Sequence, residues 1–191
     1  MKIDVVESND KVLRFKLTGA TNWHANTLRR IAINNVKAFA IDRATFYENT
    51  GAMFDEYIAH RLGLIPILTP NKGYDEKDEV LFTLEAVGPK VVYSKELESA
   101  DKEVKIANGN IPIIKLAAEQ RLRLECKAVM GTGLKHAKFQ PGMVTYDSPE
   151  QGTYNFYVES FGQMPPKEII NKAFEVIREE IKDVSKEVKK L

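Results

Sequence analysis

The sequence predicts an α+β fold. Three observations carry that prediction: alternating apolar and charged residues near the N-terminus, a middle block of short strand-like segments, and an apolar stripe of helical period over the last residues of the chain.

Residues 3–7 and 12–18 flank Asn9 and Asp10, and Leu13, Phe15 and Leu17 alternate with Arg14 and Lys16, which predicts a hairpin with one buried face. From Thr21 the period changes to that of a helix, with Leu28, Ile31, Ala32, Asn35 and Val36 on one side and Thr21 or Asn22 as the cap. Residues 40–48 alternate again and predict a strand. In FDEYIAHRLGLIPIL, residues 54–68, the positions Phe54, Tyr57, Ile58 and Leu62 predict a short helix, with Gly63 as a left-handed cap and Pro66 as the stop. Strands follow over 80–86, 111–116, 121–128 and 153–160, while the charged run 94–105 (SKELESADKEVK) reads as an exposed excursion. After Pro165 and Pro166, the residues Ile170, Ala173, Ile177, Ile181, Val184, Val188 and Leu191 step by threes and fours. At about 1.5 Å per residue this helix would span about 39 Å, longer than most helices in so small a protein. The stripe either packs across the protein's own sheet or faces another chain.

The chain has 191 residues, 43% hydrophobic and 29% charged, as in ordinary globular proteins. No stretch approaches the roughly 18 apolar residues of a membrane span, and the N-terminus lacks the apolar region of a signal peptide. A cytoplasmic protein without membrane contact is therefore expected. The single cysteine, Cys126, excludes an internal disulfide, and with three histidines it is a poor basis for a zinc or iron–sulfur site. A net charge of +1 gives no field over the whole chain to draw in nucleic acid.

Asp55, Glu56, His60 and Arg61 invite a catalytic reading, because Glu56 and His60 share a helical side and could orient a metal or form an acid–base pair. The alternative is structural: Asp55 and Glu56 favour the positive N-terminal end of the helix, and His60 and Arg61 its negative C-terminal end. His24 and His136 lie far away without ligand spacing, and no G-x-S-x-G elbow is present. Gly131-Thr132-Gly133 lacks the remaining features of a phosphate loop and reads as a turn. Between 113 and 139, Lys115, Arg121, Arg123, Lys127, Lys135 and Lys138 outnumber Glu119 and Glu125. That local excess could face phosphates or an acidic protein partner.

Five blocks taken together carry a resemblance: NTLRRIAINNVKAFAID (26–42), ENTGAMFDEYIAHRLGLIPI (48–67), IPIIKLAAEQRLRLECKAVMGTGLKHAKFQP (111–141), VTYDSP (144–149) and FYVESFGQMPPKEIINKAF (156–174). In these the chain resembles the alpha-like, third-largest-subunit family of cellular DNA-directed RNA polymerases, its archaeal branch most closely. The resemblance covers nearly the whole chain and implies a discontinuous dimerisation domain, 1–46 with 151–191, of sheet plus long C-terminal helix, and an inserted, mainly β domain, 47–150. It also implies a non-catalytic assembly scaffold for transcription, paired with the small alpha-like subunit L. This heterodimer would nucleate assembly of the large catalytic subunits, with small subunits N and P nearby and DNA met only within the whole enzyme.

Carried over by position, the partner-interface residues are Asn26, Leu28, Arg29, Arg30 and Ile31 of the first helix and His136, Lys138 and Phe139 of HAKFQP. Ile177, Ile181, Val184 and Val188 of the last helix complete the set, and Asp55, Glu56, His60 and Arg61 become a structural helix pinning the inserted domain to the dimerisation core. Family members often have serine at Gly51, proline at Lys37 and glycine at Glu119. Some archaeal members hold iron–sulfur clusters in a cysteine-rich insertion; with Cys126 alone no cofactor is expected here, and the run 94–105 would be its short replacement.

Overall fold

The computed structural model describes residues 1–190, so Leu191, the last position of the stripe, lies outside the described residues. The chain forms two compact units, Met1–Lys37 together with the chain from Thr132 onward, and Ala38–Gly131. These limits correct the boundaries expected after 46 and after 150. Residues 38–46 belong to a strand paired within the second unit, and 142–150 form a strand paired within the first.

The first unit is built on an antiparallel sheet of β1 (Lys2–Ser8), β2 (Val12–Thr18), β10 (Thr153–Ser160) and β9 (Gly142–Glu150), in that spatial order. The β1–β2 turn is held by Asn9, whose Oδ1 accepts from the Lys11 and Val12 amides at 2.9 and 2.7 Å. Alternation in β2 and β10 sends Leu13, Phe15, Leu17, Tyr154, Phe156 and Val158 to one buried face. Phe15 lies opposite Phe156 in register, and their rings stack at 4.8 Å. Two helices pack here: α1 (Asn22–Asn34) against β9, and α3 (Pro166–Val188) against β10, β2 and α1.

Helix α1 starts where the sequence places it, because Thr21 and His24 cap each other. The His24 amide donates to Thr21 Oγ1, and the Thr21 amide donates to His24 Nδ1 at 3.2 Å. Tyr154 then ties the helix start to the sheet by donating its hydroxyl to Asn22 Oδ1 at 2.6 Å. Gly133 is required by close approach, since a Cβ there would stand 2.4 Å from the carbonyl oxygen of Ile33. The Gly131-Thr132-Gly133 stretch is thus a strand end and turn set tightly on α1.

The second unit holds β3 (Lys37–Asn49), α2 (Asp55–Gly63), β4 (Glu79–Val87), β5 (Lys90–Tyr93), β6 (Glu98–Ser99), β7 (Pro112–Leu116) and β8 (Arg121–Thr132). One sheet has the order β3-β8-β4-β6, and a second pairs β5 with β7. Phe82 faces Cys126 and Leu84 faces Leu124 across β4 and β8, and Ile58 and Leu62 of α2 enter the same core. Burial raises the Cys126 thiol to about 12, so it stays protonated at neutral pH.

Two local expectations are corrected. Gly63 remains inside α2, which ends instead at Leu64 with φ −89°. The run 94–105 is no exposed excursion: β6 pairs with β4, Leu97 and Val104 are buried, and Ser94 Oγ donates to the Asn108 carbonyl. Single apolar residues spaced among charges anchor it, a pattern without helical or strand period. Strands β5 and β9 were also not signalled.

Candidate subunit interface

Helix α3 begins as a core element. Pro166, Ile169, Ile170 and Ala173 are buried against the first unit's sheet and α1. The same face then runs past its support: Ile177 is half-buried, and Ile181, Val184 and Val188 are 62%, 65% and 60% exposed. Adjacent apolar residues of one helix this exposed are a candidate interaction surface. A groove of about 640 Å³ runs along Phe174, Ile177 and Ile181. A second, of about 290 Å³, opens between β1 and the helix, lined by Ile3, Val5, Phe15, Ile170 and Phe174. Phe174 belongs to both grooves, so the apolar surface is continuous. Ile3, Val5 and Phe174 were not among the candidates read from the sequence, because alternation in β1 and spacing in α3 do not show which apolar side chains stay exposed.

The structure divides the α1 candidates by helical phase. Asn26 and Arg30 are exposed and Arg29 is half-exposed, its Nη2 donating to Asn26 Oδ1 at 2.9 Å. Leu28 and Ile31, in contrast, are buried in the first unit's own core. Phe139 is fully buried as well, while His136 is exposed and accepts the Lys138 amide on Nδ1 at 3.1 Å. Lys135 and Lys138 lie over the Phe139 ring, with ammonium groups 5.5 and 5.2 Å from its centroid.

In α2, Arg61 reaches the carbonyls of Ile113, at 2.9 Å, and Pro112, so the helix is fastened to β7 inside the second unit. Asp55 accepts from Asn49 Nδ2 at 2.7 Å, and the other side of that amide holds the Gly51 amide at 3.0 Å. These contacts fix the loop into α2, whereas the expectation had the helix pin the join between domains. Glu56 and His60 are exposed, and among the described residues no group of three or more His, Cys, Asp or Glu side chains is placed to hold a metal. Of the four positions that predicted the helix, Ile58 and Leu62 are buried, whereas Phe54 and Tyr57 form a stacked pair 71% and 65% exposed.

Two basic residues of the second unit have neighbours that answer their charge. Arg123 lies over the Tyr47 ring at 5.6 Å and opposite Glu85 in register, and Lys127 pairs with Glu79 at 2.8 Å. That lysine, donating to the Glu79 carboxylate, holds it below its ordinary range.

With the geometry in hand, residues 31–149 match the RNA polymerase Rpb3/RpoA insert domain. The chain belongs to the RNA polymerase Rpb3/RpoA family. Within that family it is similar to DNA-directed RNA polymerase subunit Rpo3 of Methanocaldococcus jannaschii, 45% identical over 154 residues that cover 81% of this chain and 78% of that protein. The Pyrococcus furiosus subunit Rpo3 is 45% identical over 152 residues, 76% of this chain and 58% of that protein. The Halobacterium salinarum subunit Rpo3 is 41% identical over 159 residues, 78% of this chain and 64% of that protein. The chain thus spans less than two thirds of the latter two relatives. Among the described residues no helix is long and apolar enough to cross a membrane.

Proposed function

We propose that the chain is a non-catalytic assembly-scaffold subunit of a cytoplasmic DNA-directed RNA polymerase, the archaeal alpha-like subunit that the resemblance implies. Its first unit pairs with a small alpha-like partner, subunit L, and the heterodimer nucleates assembly of the large catalytic subunits, with subunits N and P docking close by and DNA met only in the whole enzyme. The observation that carries this reading is the apolar face of α3, which leaves the fold at Ile177 and stays exposed through Val188 in a chain of the Rpb3/RpoA family. Burying an isoleucine or valine side chain fully is worth about 1.5–3 kcal/mol. A scaffold whose stability is completed by another subunit has a use for such a face. Asn26, Arg29 and Arg30 supply polar contacts to neighbouring subunits from the outer side of α1. No cofactor and no chemistry of its own are assigned to the chain.

Co-expression with the small alpha-like partner, followed by sizing with and without it, tests the proposal. A soluble 1:1 complex is expected, with the lone chain aggregating or self-associating. A lone chain that stays monomeric and ignores the partner would overturn it.

A further inference from the structure

Asn108 and Gly109 form the only Asn-Gly pair in the chain, and they lie in the turn between the run 94–105 and β7. Asn108 is exposed, so water reaches its side-chain amide. Its Oδ1 accepts the Asn110 amide at 3.0 Å. An asparagine that bonds the backbone two residues on folds its side chain along the intervening peptide, which brings its amide carbon to the nitrogen of the next residue, here Gly109. The Asn110 N–H also polarises the side-chain carbonyl and stands ready to hold an oxyanion formed there. Among the described residues the Gly109 amide donates to no acceptor, and glycine has no side chain to block an approach. A reactive amide, a free nucleophilic nitrogen and an oxyanion donor thus meet in one exposed turn.

We propose that Asn108 is a self-modification site, converted without an enzyme to isoaspartate and aspartate. Solvent hydroxide takes the Gly109 N–H proton, and the nitrogen forms a bond to Asn108 Cγ. The Cγ–Nδ2 bond breaks, Nδ2 leaves as ammonia with a proton from water, and a cyclic succinimide remains. Water then opens the ring at either carbonyl, so the main chain runs on through the Asn108 backbone carbon as aspartate or through Cβ and Cγ as isoaspartate. One water is consumed and one ammonia released, with no oxidation or reduction. The same turn fastens the run 94–105. Ser94 Oγ donates to the Asn108 carbonyl, the Lys95 amide to the Gly109 carbonyl at 3.1 Å, and the Ser94 amide to the Ile111 carbonyl at 2.8 Å. Isoaspartate inserts a methylene into the main chain between the first two of these acceptors and turns the Asn108 carbonyl into a carboxylate. Both changes loosen the run from β7.

The test incubates the full chain in mildly alkaline buffer, folded and, in parallel, unfolded in urea. Peptide mass spectrometry and methyl transfer by an isoaspartate-specific methyltransferase follow the asparagines over time. Isoaspartate is expected at Asn108 before any other asparagine, at least as fast in the folded chain as in urea. It should be lost in Asn108→Ser, whose hydroxyl can keep the turn. Trypsin should cut the aged chain after Lys95, Lys102 or Lys105 sooner than the fresh chain, an acceleration absent from aged Asn108→Ser. A folded chain that reacts more slowly than the unfolded one overturns the inference, because the turn would then protect Asn108 instead of activating it. Modification that appears first at another asparagine overturns it too, and equal tryptic cleavage of aged and fresh chain overturns the loosening of the run.

Discussion

Replacing Ile181 by aspartate separates the two jobs of α3. In the isolated chain this side chain is 62% exposed. Full burial of an isoleucine is worth about 1.5–3 kcal/mol, so the fold itself loses no more than about 1 kcal/mol, to which the lower helix propensity of aspartate adds about 0.5 kcal/mol. In a complex that covers the seam, the remaining apolar burial is lost and a carboxylate is desolvated without a partner. Together these cost about 3–5 kcal/mol, more than a hundredfold in affinity. Ile170→Asp is the control: at 6% exposure its aspartate would be buried in the chain alone, and the isolated fold should lose several kcal/mol. Thermal unfolding by circular dichroism and titration calorimetry with the partner subunit read the two effects. If Ile181→Asp bound its partner as the parent chain does, or melted as early as Ile170→Asp, the division of α3 into a core half and a partner half would be wrong.

Three further outcomes are expected. Arg61→Ala should lower stability by about 1–3 kcal/mol, because the carbonyls of Pro112 and Ile113 lose their donor, while His60→Ala, on the exposed side of α2, should stay within about 0.5 kcal/mol; chemical denaturation compares them. Glu119 has φ +65°, so Glu119→Val should cost about 1–2 kcal/mol in melting experiments, whereas Glu119→Gly should be neutral or stabilising. Burial lifts the Cys126 thiol from 9.0 to about 12. The unfolded chain therefore releases this proton first, and the stability that the neutral thiol contributes is complete below pH 9 and falls as the pH rises toward 12. Cys126→Ala should be less stable at neutral pH yet show a shallower alkaline loss; an unchanged slope between pH 9 and 12 would remove the thiol from that account.

The elements written in the sequence were those with a strong period or a strong stop. Thr21 and the residues after it declare α1 by cap and spacing, β4 and β8 declare themselves by alternation, and the apolar stripe that starts at Ile170 declares the last helix. The five family blocks were legible as well, and the Rpb3/RpoA match agrees with them. Burial was legible only where period and packing coincide. Helical spacing put Leu28 and Ile31 on one side of α1, but it did not say whether the chain's own core or a partner covers that side. Phe139 lies in a stretch without period, so only the packing of the first unit shows that it is buried.

By itself the sequence determined the class of fold, the family and the existence of a long amphipathic helix, because these depend on local spacing and on chemistry read residue by residue. Only the tertiary structure decided where that helix stops being core, which strands close each unit, and that the run 94–105 is folded in through Leu97 and Val104. Those outcomes depend on which other elements stand opposite a side chain. Burial is a property of the neighbours across the chain, and a residue's own spacing does not record them.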